Sequence, residues 1–189
     1  IKTGEFMIQG DSIEYDLLAK WANFDCKGDY SCEIGVRDGM GSKIIMDNIK
    51  NNYLHIGVDP YGNLNYQHYD STGAYQCDYT DEMRDTMLND LKEYRNAGKF
   101  HLANMTDTLF MSHPEYNEKK YAFVHFDGPH MTRDVITESV WFANRAARGC
   151  RFVFDDYPKY NMQLIADCLK PFGFYVLEQG KNKICLEEK

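Results

Sequence analysis

Tyr121-Ala-Phe-Val-His-Phe-Asp-Gly-Pro-His130 is the stretch from which the fold is read. Apart from His125, every residue from Tyr121 to Phe126 is apolar or aromatic, and the run stops at an aspartate and a glycine. A strand with one wet face alternates apolar and polar residues. An unbroken apolar run suits a strand covered on both faces, as in a parallel sheet between helical layers. The downstream flank agrees. Met131 to Ala147 reads as a helix with Ile136, Val140, Ala143 and Ala147 on one face, and Arg151-Phe-Val-Phe-Asp155 repeats the apolar run that ends in aspartate.

The same alternation extends both ways. Upstream, Asp11 to Phe24 has helical spacing with Asp11 or Ser12 as cap, and Tyr30 to Gly35 is a strand running into a glycine-rich turn. Ser42 to Ile49 reads as a helix capped by Ser42, Tyr53 to Val58 as a strand, Thr80 to Ala97 as a helix and Phe100 to Asn104 as a strand. Downstream, Pro158 to Leu169 is a helix with proline in its first turn. Phe174 to Glu178 and Lys183 to Glu187 are strands joined by Gln179-Gly-Lys-Asn182, a link short enough to demand an antiparallel hairpin. The expected fold is α/β: a doubly wound, Rossmann-like, seven-stranded mixed sheet, mostly parallel, with an antiparallel C-terminal hairpin. The chain reads as one domain over 1–189, with a helical lead-in at 1–24 and an aromatic loop insertion at 61–79. That loop carries Tyr61, Tyr66, Tyr69, Tyr75 and Tyr79, which suits a lid over substrate or a homodimer contact.

Composition narrows the function classes. A chain of 189 residues buries a sizeable core without disulfide or metal staples. The net charge of −8 argues against nucleic acid as a partner, which needs a basic face. No apolar run approaches the ~18 residues of a membrane span. The six cysteines show no CxxC pair, which suits free thiols in a reducing cytoplasm, and Ile1 to Gly10 lacks the apolar core of a signal peptide. Aspartate is abundant, 18 against 11 glutamates, and the question is which of these are more than caps and turns.

Ligands of doubly wound sheets sit at the carboxyl ends of the strands. Glu33-Ile-Gly-Val-Arg-Asp-Gly-Met-Gly-Ser42 follows the first strand, where glycines let the backbone approach a ligand. Arg37 breaks the G-x-G-x-x-G fingerprint of nicotinamide-binding oxidoreductases, the rival enzyme class. Asp59 ends the second strand, placed to accept ribose hydroxyls or simply to form an Asp-Pro turn. Asp127 and the pair Asp155-Asp156 end neighbouring strands. Converging carboxylates repel unless a cation sits between them, and oxygen ligands suit Mg²⁺, Mn²⁺ or Ca²⁺. His130 is placed to act as a base or merely to open a helix, and His125, inside its strand, reads as a core histidine.

Together Glu33–Ser42, Gly57-Val-Asp-Pro-Tyr61, His125–His130 and Phe152-Val-Phe-Asp-Asp-Tyr157 resemble class I S-adenosylmethionine-dependent methyltransferases. The likeness is to the small family 24 type, related to macrocin and catechol O-methyltransferases, and spans roughly residues 12–189. The resemblance implies that Glu33, Gly35 and Gly39 line the methionine part of the cofactor and Asp59 its ribose. Thr106 and Asp107 would flank the adenine, with Val36, Arg37, Ser42, Pro60 and Asp127 completing the cofactor site. It also implies a divalent cation, Mg²⁺ or Mn²⁺, on Asp127, Asp155 and Asp156, and O-methylation of a small-molecule hydroxyl. The catechol enzymes carry lysine where His130 stands, so the base is His130, Asp127 or a metal-lowered hydroxyl pKa. A non-catalytic relative that keeps the cofactor pocket as a binding module is the remaining alternative.

Overall fold

The computed structural model describes residues 8, 10–51, 53–62, 64–67 and 74–189. Its strands are β1 (Tyr30–Ile34), β2 (Leu54–Val58), β3 (Asn65–Gln67), β4 (Ala74–Gln76), β5 (Phe100–Ala103), β6 (Tyr121–Phe126), β7 (Ala146–Phe154), β8 (Phe174–Gln179) and β9 (Ile184–Glu188). Seven of them form one sheet in the order β5-β2-β1-β6-β7-β9-β8. Every pairing in it is parallel except β7–β9 and β9–β8. The seven-stranded mixed sheet with its antiparallel hairpin is therefore present as expected. The chain winds outward from β1 to β5, then returns to β6 on the other side, so the topological switch point lies between β1 and β6.

Both faces of the sheet are covered. Helices α1 (Tyr15–Ala22) and α2 (Met40–Asn48) close one face, where Trp21, Ile45, Phe123 and Val153 pack together. Helices α3 (Asp81–Asp90) and α4 (Lys92–Asn96) pack Met87 and Leu91 against Val36, Tyr61 and Phe100. The short helices α5 (Asp107–Ser112) and α6 (Pro114–Asn117) lie with α7 (Thr132–Ala143) and α8 (Met162–Leu169) over the opposite face. All six residues of β6 are buried. Phe126 stacks on Phe154 at 4.6 Å, so adjacent strands are joined by aromatic faces as well as by their ladder.

Several boundaries differ from the sequence reading, each for a physical reason. Helix α1 starts at Tyr15 with neither Asp11 nor Ser12 as its cap; Asp11 pairs with Arg37, and the Ser12 hydroxyl bonds Asp155. Ser42 lies inside α2 and its hydroxyl donates to Glu33 instead of capping. The helix expected over Thr80–Ala97 is capped by Thr80, whose hydroxyl accepts from the Met83 N–H at 3.2 Å, but it breaks at Leu91. The helix expected to reach Ala147 stops at Ala143, and Ala147 belongs to β7. The one expected from Pro158 begins at Met162 after a single 3₁₀ turn, capped by Asn161. Within 61–79, β3 and β4 form a small hairpin, Tyr61 is core, and Tyr69 lies outside the described residues.

Candidate active site

Register decides which side chains meet. Glu33 lies opposite His125 and Ile34 opposite Phe126, while Phe126 lies opposite Phe154 and Phe154 opposite Ile184. Asp127 and Asp155 therefore leave neighbouring strands at one level, and Lys183, just before β9, arrives beside Asp155.

Two adjoining clefts open along this rim. The larger, about 450 Å³, is bordered by Glu33, Gly35, Val36, Arg37, Asp127, His130, Asp155 and Asp156. The smaller, about 170 Å³, is bordered by Asp59, Pro60, Asp107 and again Asp127. Gly35, Tyr79, Asp127 and Gly128 belong to both. Of the residues singled out from the sequence, Gly39, Ser42 and Thr106 border neither cleft. Gly39 turns toward Met87 and Leu91, Ser42 lies in α2, and the Thr106 hydroxyl caps α5.

The glycine turn is shaped for close approach. Gly35 has φ +87°, and a Cβ there would lie 2.1 Å from the backbone oxygen of Asp127. A Cβ on Gly41 would lie 2.0 Å from Glu33 Oε1. At Gly35, where the obstacle is backbone, only hydrogen fits, which keeps the β1 turn against β6; at Gly41, in the first turn of α2, a side chain would displace the Glu33 carboxylate. Asp59 braces the turn from below. Its Oδ2 accepts from the Val36 and Arg37 N–H groups, both at 3.0 Å, and its Oδ1 from the Tyr61 N–H at 3.2 Å. Burial raises the Asp59 pKa and these three donors pull it back.

Beneath the turn runs a buried polar chain. Ser31 bonds His55 Nδ1 at 2.9 Å, His55 Nε2 bonds Ser42 at 3.0 Å, Ser42 donates to Glu33, and Glu33 Oε1 meets His125 Nδ1 at 2.8 Å. Burial, with His125 nearby, depresses the His55 pKa to about 3, so that ring stays neutral. His125 Nε2, at the end of the chain, is buried without a hydrogen-bond partner. His125 is thus more than the core histidine the sequence suggested: it, Asp127 and Asp155 each bring one potential ligand atom within 4.8 Å of the others.

The acids are not left bare. Asp155 Oδ2 meets Lys183 Nζ at 2.6 Å and the Ser12 hydroxyl at 2.8 Å. Its Oδ1 accepts from the Asp156 N–H at 2.8 Å and from Asn182 Nδ2 at 2.7 Å. Burial would raise the Asp155 pKa, but His125, Lys183 and Ser12 outweigh it, and the carboxyl sits below its ordinary range. Asp127 moves the other way: burial raises it well above the ordinary range, and Asp155 and Glu33 add to the rise. Asp156, at φ 52°, pairs with Lys159 and lies 3.6 Å from His130 Nε2. His130 also lies 4.0 Å from Asp127 and stacks on Tyr160. Burial lowers its pKa despite the nearby Asp156, which favours the neutral imidazole.

This donor set does not fit a divalent cation on Asp127, Asp155 and Asp156. A carboxylate offers about four lone-pair directions, and on Asp155 four donors fill them. One donor is an ammonium, and a divalent ion on the same oxygens would repel it. Among the described residues the only gathered metal-type group includes His125 and omits Asp156. Lys183, Ser12 and Asn182 escaped the sequence reading. Their one signal is a lysine at the head of the apolar run Ile184-Cys-Leu186.

Residues 32–157 match a protein family described as a methyltransferase domain. None of the curated proteins matches the sequence. Among solved structures, the O-methyltransferase NovP superposes with a TM-score of 0.66 at 12% identity, covering 93% of this chain and 79% of that one. Cofactor-bound Rv0187 from MTB gives 0.62 at 11% identity, covering 96% and 81%. The O-methyltransferase from Bacillus cereus in complex with SAH gives 0.57 at 9% identity, covering 93% and 79%. At these identities the likeness is one of fold.

Proposed function

Because this chain belongs to the methyltransferase-domain family, we propose that its S-adenosylmethionine-dependent methyl transfer goes to oxygen, the hydroxyl of a small molecule. The observation that carries this reading is the pair of clefts joined across Gly35 and Asp127 at the switch point. We assign the nucleoside to the smaller, beside Asp59 and Asp107. We assign the amino-acid moiety to the larger, beside Glu33, and the acceptor to the same cleft beside Asp127 and His130. The fold likeness to proteins described as O-methyltransferases supports oxygen as the acceptor. The family decides against the nicotinamide reading.

S-adenosylmethionine supplies an electrophilic methyl group on a sulfonium. The protein's part is to hold two partners in line, and orientation alone is worth about 7–11 kcal/mol of a barrier. Gly35 and Gly41 allow the backbone approach, and Asp59 keeps the turn rigid. Asp127, more basic than an ordinary carboxylate because of burial and its acidic neighbours, accepts the hydrogen bond of the acceptor hydroxyl. His130, neutral, takes the proton as the oxygen attacks. The C–O bond forms as the C–S bond breaks, and the neutral thioether leaves.

Two readings of the cation beside the carboxylates follow. A divalent ion on His125, Asp127 and Asp155 is favoured by their gathering, and requires Lys183 to move away. The other reading is Lys183 itself. No helix among the described residues is long and apolar enough to cross a membrane.

Calorimetry with S-adenosylmethionine, followed by mass spectrometry of a panel of phenols, sugars and polyketide alcohols, tests the reading. Cofactor binding and an O-methyl product are expected. Absence of binding at millimolar cofactor, or methylation confined to nitrogen or carbon, overturns it. Cofactor binding with no transfer to any acceptor class leaves the binding-module alternative standing.

A further inference from the structure

We propose that Lys183 is the resident cation of the acidic cluster, standing where a divalent ion would otherwise sit, so that this site works without a metal. The inference rests on the methyl-transfer reading for its purpose, but its geometry stands alone. Lys183 is fully buried, and its ammonium is fixed from three sides: 2.6 Å from Asp155 Oδ2, 2.8 Å from the Ser12 hydroxyl and 5.4 Å from the centre of the Tyr15 ring. A buried ammonium is retained only where such partners replace its water.

The backbone is committed to the same end. Glu14 accepts the N–H groups of Lys181, Asn182 and Lys183 at 2.7, 2.9 and 2.9 Å. One carboxylate thereby locks the turn that delivers both the Lys183 ammonium and the Asn182 amide to Asp155. Ser12, two residues before Glu14 in the same lead-in, completes the shell of Asp155. The lead-in and the hairpin come from opposite ends of the described chain and close on one aspartate. Converging carboxylates need a positive charge between them. Here the chain supplies it covalently, and Asp127 is left as the acid open to the cleft, its side chain a quarter exposed.

The distinguishing experiment is Mn²⁺ titration of the full chain, read by electron paramagnetic resonance of the free ion. Each sample is also titrated with S-adenosylmethionine by calorimetry. The wild type is expected to take up no Mn²⁺ saturably at millimolar ion. Lys183→Met uncovers Asp155 beside Asp127 and the free His125 nitrogen, and is expected to gain about one Mn²⁺ per chain through an oxygen-and-nitrogen site. Lys183→Arg keeps the charge and is expected to stay metal-free. Stoichiometric Mn²⁺ binding by the wild type, lost in Asp127→Asn, overturns the proposal. So does a folded Lys183→Met that binds no Mn²⁺. If Lys183→Met does not fold, the wild type and Lys183→Arg decide the matter alone. Failure of cofactor binding with the Mn²⁺ pattern intact would refute the methyl-transfer reading and leave the lysine assignment in place.

Discussion

The two halves of the cleft are held by different means. On the β1–β2 side the shaping groups are backbone: the turn at Gly35, its approach to the Asp127 carbonyl, and N–H groups gathered by Asp59. On the β6–β7–β9 side they are charges set against charges: Asp155 with Lys183, Asp156 with Lys159, Asp127 with only a distant His130. A backbone cradle resists substitution of shape and tolerates a change of charge. A side-chain charge cluster does the reverse, because a buried ion stripped of its partner costs more than the pair ever contributed. On the proposed assignment, the β1–β2 half is built for a fixed cofactor, and the β6–β7–β9 half for a balance of charge that one side chain can reset.

The largest expected effect lies in the charged half. Asp127→Asn keeps the shape but removes the proposed acceptor-orienting carboxylate, so turnover is expected to fall about 10²–10⁴-fold with cofactor affinity little changed. A matching loss of cofactor affinity would place Asp127 in the backbone half instead. Lys183→Met comes next: breaking a buried pair is expected to cost about 3–5 kcal/mol of stability, measured by urea unfolding near neutral pH. Adding Asp155→Leu to the same chain should recover most of that loss. If the double variant is no more stable than the single one, the charges are not what the hairpin is balancing.

How much of this was legible in the sequence follows the same division. The fold was readable because β6 and β7 carry their own burial pattern, and because the short hairpin link is a local signal. The turn at Gly35 and the strand end at Asp59 were readable too, since a glycine and an Asp-Pro at strand ends state their geometry within a few residues, whereas Gly39 and Ser42, read from the same motif, border neither cleft. What misled were cap-type residues used elsewhere. Asp11 and Ser12 look like helix caps, yet their partners are Arg37, 26 residues away, and Asp155, 143 residues away. Lys183 pairs with an acid across an antiparallel register, so no spacing along the chain announces it. His125 reads as core from its strand, and only the pairing with Glu33 shows that one of its nitrogens is left free. Short α5 and α6 were missed because neither has room for a periodic apolar face.

On the backbone side, Gly35→Ala is expected to cost about 2–4 kcal/mol, from a left-handed backbone and a Cβ that must push the Asp127 carbonyl away. Thermal unfolding and cofactor titration should both register it. Wild-type cofactor affinity in a stable Gly35→Ala would show that the close approach at the switch point does not shape the cofactor cleft.

The smallest effect tests whether the two halves share a brace. Glu14 lies on the lead-in but gathers three N–H groups of the hairpin turn, and those bonds hold its pKa low although burial pulls the other way. A carboxyl whose pKa is lower folded than unfolded adds stability above the unfolded value, about 4.3, and loses it as the pH falls through the folded one. Glu14→Gln is therefore expected to cost about 1–2 kcal/mol near pH 7, and the gap from wild type should close in acid. Cofactor affinity should be unmoved, since the turn at Gly35 makes none of these bonds. The lysine, by contrast, needs its hairpin held, so Glu14→Gln should let weak Mn²⁺ binding appear where none is expected of the wild type. A gap that persists unchanged into acid would mean that Glu14 acts by packing alone, and that the charge balance of the acceptor half is set without the lead-in.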